Sequence, residues 1–449
     1  MSRAKILLVA GVAGAACVGL LFGGVFSSSS PAPAPAAPQA AKPLIAGHDA
    51  KAAIEKLLQG FSTGDTAGFA RKLEQNVAKN PYDVDSLTLL GLTYQQRARE
   101  TGDPAYFSLS EKALRRAVAL DRQEPLALTG LASLAVSRHR FNDALALARQ
   151  ALAVDHEDAS ARAALGDALL SLGRYDEAFR ELDKAVEQSP GIATYSRIAY
   201  ARELLGRPNA AIEAIREAFE ISLTVPEYEA WTRVQIGNLY FNTGRLRPAE
   251  TAYRKALERL PGYVHAEAGL ARVEAARGRY GEAATRLRKA LDVLPVPQYA
   301  ILLGDVLTAA GRNADAKEAY ALVDAIERLL EANGVRTELQ TALFDLDHDR
   351  DVAVALDRAR EAYEAAPSIA AADALAWALY KNGHCDDARR YSQSALRLGT
   401  LDALMFFHRG MIEQCLGDGL AGRGYIRKAL ELNPSFSLIY APVAKEMAA

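Results

Sequence analysis

Glycine recurs along this chain at a spacing that few folds can accommodate. Gly173, Gly206, Gly244, Gly278, Gly311, Gly383 and Gly417 are separated by 33, 38, 34, 33, 72 and 34 residues. The long gap spans two units, with one glycine replaced near Arg350. A period near 34 is that of a helix–turn–helix unit that cannot bury its apolar face alone and must stack on its neighbours. The ladder therefore predicts an all-α solenoid, an architecture that offers a binding surface rather than a reaction centre.

The fifth unit, Ala230 to Tyr263, shows how each residue type serves the fold. Ile236, Gly237 and Tyr240 pattern its first helix, and Ala249, Tyr253 and Ala256 its second. Gly237 and Ala249 are small enough for paired helices to approach closely, while the tyrosines fill space between pairs. Gly244 supplies the left-handed conformation that ends a helix at little steric cost. Pro261 stops the second helix. The same phase runs through Leu165, Gly166, Gly173, Ala178 and Pro190, then Leu270, Gly278 and Ala283, then Leu303, Gly304 and Gly311, and onward to Gly410, Gly417 and Pro434.

In these residues the chain resembles the tetratricopeptide repeat family over residues 84–436. The resemblance implies a right-handed superhelix of about ten helical pairs. Residues 48–83 read as an N-terminal capping pair, with helices expected over 51–61 and 67–79, and 437–449 as a C-terminal cap. Extra residues around RETGDPAY, LTVPEYEA and ERLLEANGVRTE break the period, and such insertions can mark joints in the superhelix.

The N-terminus is a different object. Arg3 and Lys5 precede an uncharged run of 21 residues, Ile6 to Phe26. As a helix it would be about 31 Å long, enough to cross a hydrocarbon core of roughly 30 Å. Charge ahead of the run and none soon after orients the repeats away from the cytoplasm. Residues 1–26 are thus expected to anchor the chain. A cleaved secretory signal is the alternative, with Ala34 and Ala36 as a poor cleavage site among prolines. Cys17 lies inside the apolar run, where a small membrane-embedded thiol suits it better than lipidation, because the run continues past it. Residues 27–47, rich in Ser, Pro and Ala, read as a semi-rigid spacer.

With 53 basic and 55 acidic residues the surface lacks the basic stripe that nucleic acid demands. By the resemblance, the first helix of each pair lines a concave groove. The positions so assigned are Asp167, Tyr200, Asn238, Arg272, Asp305, Phe344, Trp377 and Met411. The Lys/Asn set with which family members clamp acidic chaperone tails is absent. Toward the C-terminus the lining turns aromatic, with Tyr380, Phe407 and His408 joining Phe344, Trp377 and Met411. An extended peptide or apolar helix could dock there. The competing reading is that the chain's own tail, through Leu438, Tyr440 and Pro442, folds onto this patch.

Two clusters fall at turn edges. Asp345, Asp347, Asp349 and Asp351 alternate around His348 and resemble the start of a calcium loop. The loop's glycine and distal glutamate are missing, so a solvated turn with capping aspartates is the better reading. Cys385 and Cys415 lie on the same edge of adjacent repeats, where an oxidising compartment would permit a disulfide. No nucleophile elbow, phosphate loop or HExxH motif is present, and no metal or cofactor is expected. The function expected is a tethered extracytoplasmic adaptor for a protein or peptide. A component of an envelope assembly or secretion complex, and an extracytoplasmic metal-binding or hydrolytic protein, are the alternatives.

Overall fold

A computed structural model describes residues 65–222 and 226–448. The expected anchor, spacer and first helix lie outside these residues. Among the described residues there are only helices, and none is long and apolar enough to cross a membrane.

A capping helix, α1 (Thr66–Lys79), is followed by ten antiparallel pairs. Repeats 1 to 3 are α2 (Val84–Thr101) with α3 (Ala105–Leu120), α4 (Pro125–Ser137) with α5 (Phe141–Val154), and α6 (Ala159–Ser171) with α7 (Tyr175–Gln188). Repeats 4 and 5 are α8 (Ile192–Leu204) with α9 (Pro208–Ser222) and α10 (Pro226–Asn242) with α11 (Leu246–Arg259). Repeats 6 and 7 are α12 (Val264–Ala276) with α13 (Tyr280–Val293) and α14 (Pro297–Ala309) with α15 (Asn313–Ala332). Repeats 8 to 10 are α16 (Glu338–Asp347) with α17 (Val352–Ala365), α18 (Ile369–Lys381) with α19 (Cys385–Ala395), and α20 (Ala403–Cys415) with α21 (Gly419–Leu432). The terminal helix α22 (Tyr440–Ala448) closes the stack.

The ladder has the conformation expected of it. All seven turn glycines take φ between 67° and 82°. Asp349, at φ 52°, fills the gap near Arg350, and His139, at φ 56°, holds the same place in repeat 2. Linker side chains start the helices: Asp83 accepts from the Ser86 amide, Asp158 from Ser160 and Ala161, and Asp402 from Leu404 and Met405. Within a pair, a large residue of the second helix fills the notch left by a glycine of the first. Tyr253, fully buried, lies against both Gly237 and Gly269, where a Cβ would collide with its ring. Burying a side chain of this size stabilises by about 2–3 kcal/mol.

Successive first helices also touch one another, so the inner ring is narrow. In α4 every residue from Leu126 to Ser137 is buried, and in α18 every residue from Ala371 to Leu379. The second helices keep one face in solvent.

The chain then returns over itself. The Ile369 amide donates to the Tyr175 hydroxyl at 2.8 Å, across 194 residues. Thr400 Oγ1 donates to the Leu204 carbonyl across 196 residues, and Asn433 Nδ2 donates to the Phe241 carbonyl at 3.0 Å across 192. The Arg336 amide donates to the Arg138 carbonyl at 3.1 Å. A Cβ on Gly102 would stand 3.1 Å from Leu294. This nearly constant offset means that the pairs complete one superhelical turn in five to six repeats. The helix-to-helix turns of repeats 1–5 then dock on the linkers that follow repeats 6–10. The insertion after repeat 7 lies at this seam: Leu330 and Val335 pack with Ala98, Phe107 and Leu134 of repeats 1 and 2.

Candidate functional site

Many of the residues assigned to the groove find partners within the chain. Asp167 is fully buried and accepts two bonds from Arg197 of the next repeat, at 2.8 Å from Nε and 2.7 Å from Nη2. Asn238 is buried and accepts from the Tyr253 hydroxyl at 2.8 Å. Asp305 accepts from Tyr320 at 2.9 Å and meets His348 Nε2 at 2.8 Å. Burial alone would lower the His348 pKa; the Asp305 bond, the Phe344 carbonyl and the Asp347 charge together raise it. Arg272 stacks over the Phe241 ring at 4.0 Å.

The aromatic stretch is core. Phe344 is 3% exposed, Trp377 and Phe407 1%, and His408 fully buried. Trp377 stacks on His408 at 4.1 Å and on Tyr380 at 4.8 Å, and Phe407 stacks on Tyr440 of α22 at 5.0 Å. His408 Nδ1 lies 2.9 Å from Asp373 Oδ2. The expected open aromatic wall is therefore corrected. Two large rings and an imidazole are too apolar to leave in water when a tail helix can reach them, and the Tyr440 hydroxyl gains a bond to Asp347 at 3.0 Å. Leu438 packs elsewhere, against the cluster of repeats 6 and 7. Tyr200, Arg272, Asp305, Tyr380 and Met411 remain half-exposed.

The four aspartates around His348 diverge. Asp345 pairs with Arg358 at 2.5 Å, Asp347 bonds Tyr440, Asp349 pairs with Lys381 at 2.6 Å, and Asp351 begins α17. Among the described residues no group of three His, Cys, Asp or Glu side chains could hold a metal ion. Cys385 opens α19 and Cys415 ends α20; their sulfurs are placed as a disulfide with Cα atoms 6.2 Å apart.

Phase in the sequence could not locate one further feature. A cavity of about 80 Å³ lies at the seam, between Tyr175, Tyr200 and Leu204 on one side and Gln340, Ala366 and Ile369 on the other. Gln340 Oε1 is buried there without a hydrogen-bond partner. The turn glycines at the seam look like those elsewhere in the ladder, and the linker residues that meet them carry no periodic mark, since their partners lie some two hundred residues away.

Comparison with known proteins finds family models that match the repeats and solved structures with weak likeness. Of solved structures, a tetratricopeptide repeat protein from Parabacteroides merdae ATCC 43184 is 17% identical, covers 62% of this chain and 99% of its own, with a TM-score of 0.41. The Cut9–Hcn1 hetero-tetramer of the APC/C is 14% identical over 89% of this chain and 96% of its own, at 0.34. YrrB, described as a TPR protein with an unusual peptide-binding site, is 22% identical over 44% of this chain and 98% of its own, at 0.29. No curated protein matches the sequence. Two family models, both described as tetratricopeptide repeat, match residues 129–191, 234–295 and 269–328, and residues 192–262. The described residues form an all-α solenoid, and its residues 129–328 match tetratricopeptide repeat models.

Proposed function

We propose that this protein is a scaffold that binds a protein or peptide along the half-exposed part of its inner wall, and that its N-terminal segment tethers it to a membrane with the repeats on the extracytoplasmic side. The observation that carries the binding reading is the seam cavity beside Tyr200. Apolar side chains wall it together with His139, Arg336 and Glu338, and the unpartnered Gln340 Oε1 offers an acceptor to an inserted N–H or O–H group. Tyr200, Arg272 and Asp305 would lie along the path of the bound segment, with Tyr380 and Met411 further on. The Cys385–Cys415 geometry supports an oxidising compartment. A role in an envelope assembly would use the same wall.

The test is photo-crosslinking in intact cells. A photoreactive residue at Tyr200 or Arg272 of the full chain is expected to capture a protein that one at Glu258, exposed on the outer helix α11, does not. Identical products from all three positions would refute the inner-wall site. Protease added to cells with a permeabilised outer layer and an intact cytoplasmic membrane should reach the repeats; complete protection would refute the proposed side.

A further inference from the structure

Each superhelical turn has two edges, one made of the turns inside repeats and one made of the linkers between them. The turn edge of repeats 1–5 is covered by the linker edge of repeats 6–10. Among the described residues two edges of the same kinds are left over, at opposite ends of the stack: the linker edge of repeats 1–5 and the turn edge of repeats 6–10. We propose that these leftover edges bind each other between copies of this chain, so that molecules stack head to tail. This rests on the seam and not on the inner-wall reading.

The first argument is continuity with the seam inside one chain. There the turn glycines admit a linker backbone: a Cβ on Gly173 would collide with the Pro367 carbonyl oxygen, one on Gly206 with that of Gly399, and one on Gly244 would stand 2.8 Å from that of Leu432. Gly278, Gly311, Gly383 and Gly417 have the same left-handed backbone, and nothing lies within 4 Å of where their Cβ would be. They are exposed, whereas Gly173, Gly206 and Gly244 are half-buried. Tyr280 also repeats, two residues after its turn glycine, the place from which Tyr175 accepts the Ile369 amide.

The second argument is the chemistry of the two free edges. Tyr82, Leu120 and Val154 lie on the linker edge at 75%, 40% and 41% exposure, and Leu420 and Val354 beside the free turns at 74% and 48%. Large apolar side chains so placed on both edges suit contact with another surface. Charge is complementary as well. Asp121, Asp155 and Glu157, beside Arg122, mark the first two free linkers, and Arg277, Arg279 and Arg312, paired with Glu250, Glu282 and Asp315 of their own chain, mark the first two free turns. Within the chain a turn meets the linker five to six repeats later. Between copies such an interface is heterologous, joining different surfaces of the two, so it propagates rather than closing as a dimer.

The experiment uses the full chain in detergent micelles, followed by sedimentation velocity over a wide concentration series. One variant reverses the turn edge, Arg277→Glu with Arg312→Glu; another reverses the linker edge, Asp155→Arg with Glu157→Arg. Asp155, Glu157 and Arg312 are exposed, Arg277 also pairs with Glu250 of its own chain at 2.6 Å, and unchanged circular dichroism checks that each variant folds. Wild type is expected to grow beyond a dimer as concentration rises, and each variant alone to associate about tenfold more weakly. Mixed together, the variants make one native junction and one with both signs reversed, each complementary, so the mixture should grow beyond a dimer where neither variant does alone. A wild type that stays monomeric at every concentration overturns the proposal. So do variants that associate as wild type does, and a mixture that behaves no differently from its components.

Discussion

Two edges of this molecule have the same local sequence grammar and opposite fates. At the seam, Gly206 and Gly244 are half-buried beneath the linkers around Gly399 and Leu432, and Thr400 and Asn433 bond to the backbone beside them. At the free edge, Gly383 and Gly417 end their helices with the same left-handed geometry and face open space. A turn glycine therefore does one job everywhere, stopping a helix, and a second only where the superhelix returns: it removes the Cβ that would hold two backbones apart. The free edge is secured differently. Cys385 and Cys415 tie repeats 9 and 10 within two residues of their turn glycines.

The largest effect should separate the two classes of glycine. In Gly206→Ala the left-handed backbone costs about 1–2 kcal/mol and the collision with the Gly399 carbonyl adds about 1–3, so the seam should weaken by on the order of 4 kcal/mol. In Gly383→Ala only the first cost applies, about 1–2 kcal/mol. Because a solenoid unfolds in parts, hydrogen exchange of residues 396–402 is the right readout. Equal protection in the two variants would break the distinction.

Next comes the covalent tie. The disulfide closes a loop with a sequence separation of 30, for which loop-closure entropy corresponds to about 3–4 kcal/mol. Reductant should lower the denaturant midpoint of repeats 9 and 10 by a matching amount and leave repeats 1–3 unchanged. A Cys385→Ala/Cys415→Ala variant should ignore reductant. Equal responses in the two proteins would show that the bond is not what holds this edge.

A smaller effect is electrostatic and belongs to the seam. Glu327, on the long helix α15 that reaches repeats 1 and 2, is buried, and its carboxyl is pushed up to about 7. Burial is the main cause, with Asp345, Asp324 and Glu331 adding repulsion. The folded-state pKa is raised, so the folded form holds a proton that the unfolded chain has released. Stability from this group is full below about pH 4.5 and is lost as pH rises through about 7, amounting to about 3 kcal/mol. Glu327→Gln, which stays neutral, should flatten this dependence and stabilise α15 at pH 8 as followed by urea unfolding. A variant that keeps the wild-type slope would assign the titration elsewhere.

How much of this was legible in the sequence follows from the range of each interaction. The helix ends, the ten pairs and the site of the missing glycine come from contacts within about 40 residues, where periodicity accumulates. Phase also set Cys385 and Cys415 on one edge. It told which side chains face inward but not whether the inner face stays open, because that depends on the superhelical radius. Here the ring is tight enough for Asp305 to reach His348 and Asp373 to reach His408. The aromatic residues were recognisable as a patch, and Tyr440 as its cover, yet only packing decided between groove and core. Thr400 and Asn433 look like ordinary linker residues, because what makes them matter lies nearly two hundred residues away.

The smallest prediction isolates one bond of the seam from everything around it. Tyr175 is 6% exposed, and its hydroxyl accepts the first amide of α18, that of Ile369. Tyr175→Phe keeps the ring beneath Arg397, which sits 5.1 Å above it, and removes only the acceptor. A buried amide left without a partner costs about 1–2 kcal/mol, so exchange at Ile369 should quicken by roughly tenfold. Tyr280 holds the equivalent position on the free edge, and among the described residues no linker covers its turn. Tyr280→Phe in dilute protein should therefore leave the amides of residues 121–126 as they were. If both substitutions, or neither, speed exchange at the linker opposite, the seam and the free edge are not the distinct surfaces that their glycines make them.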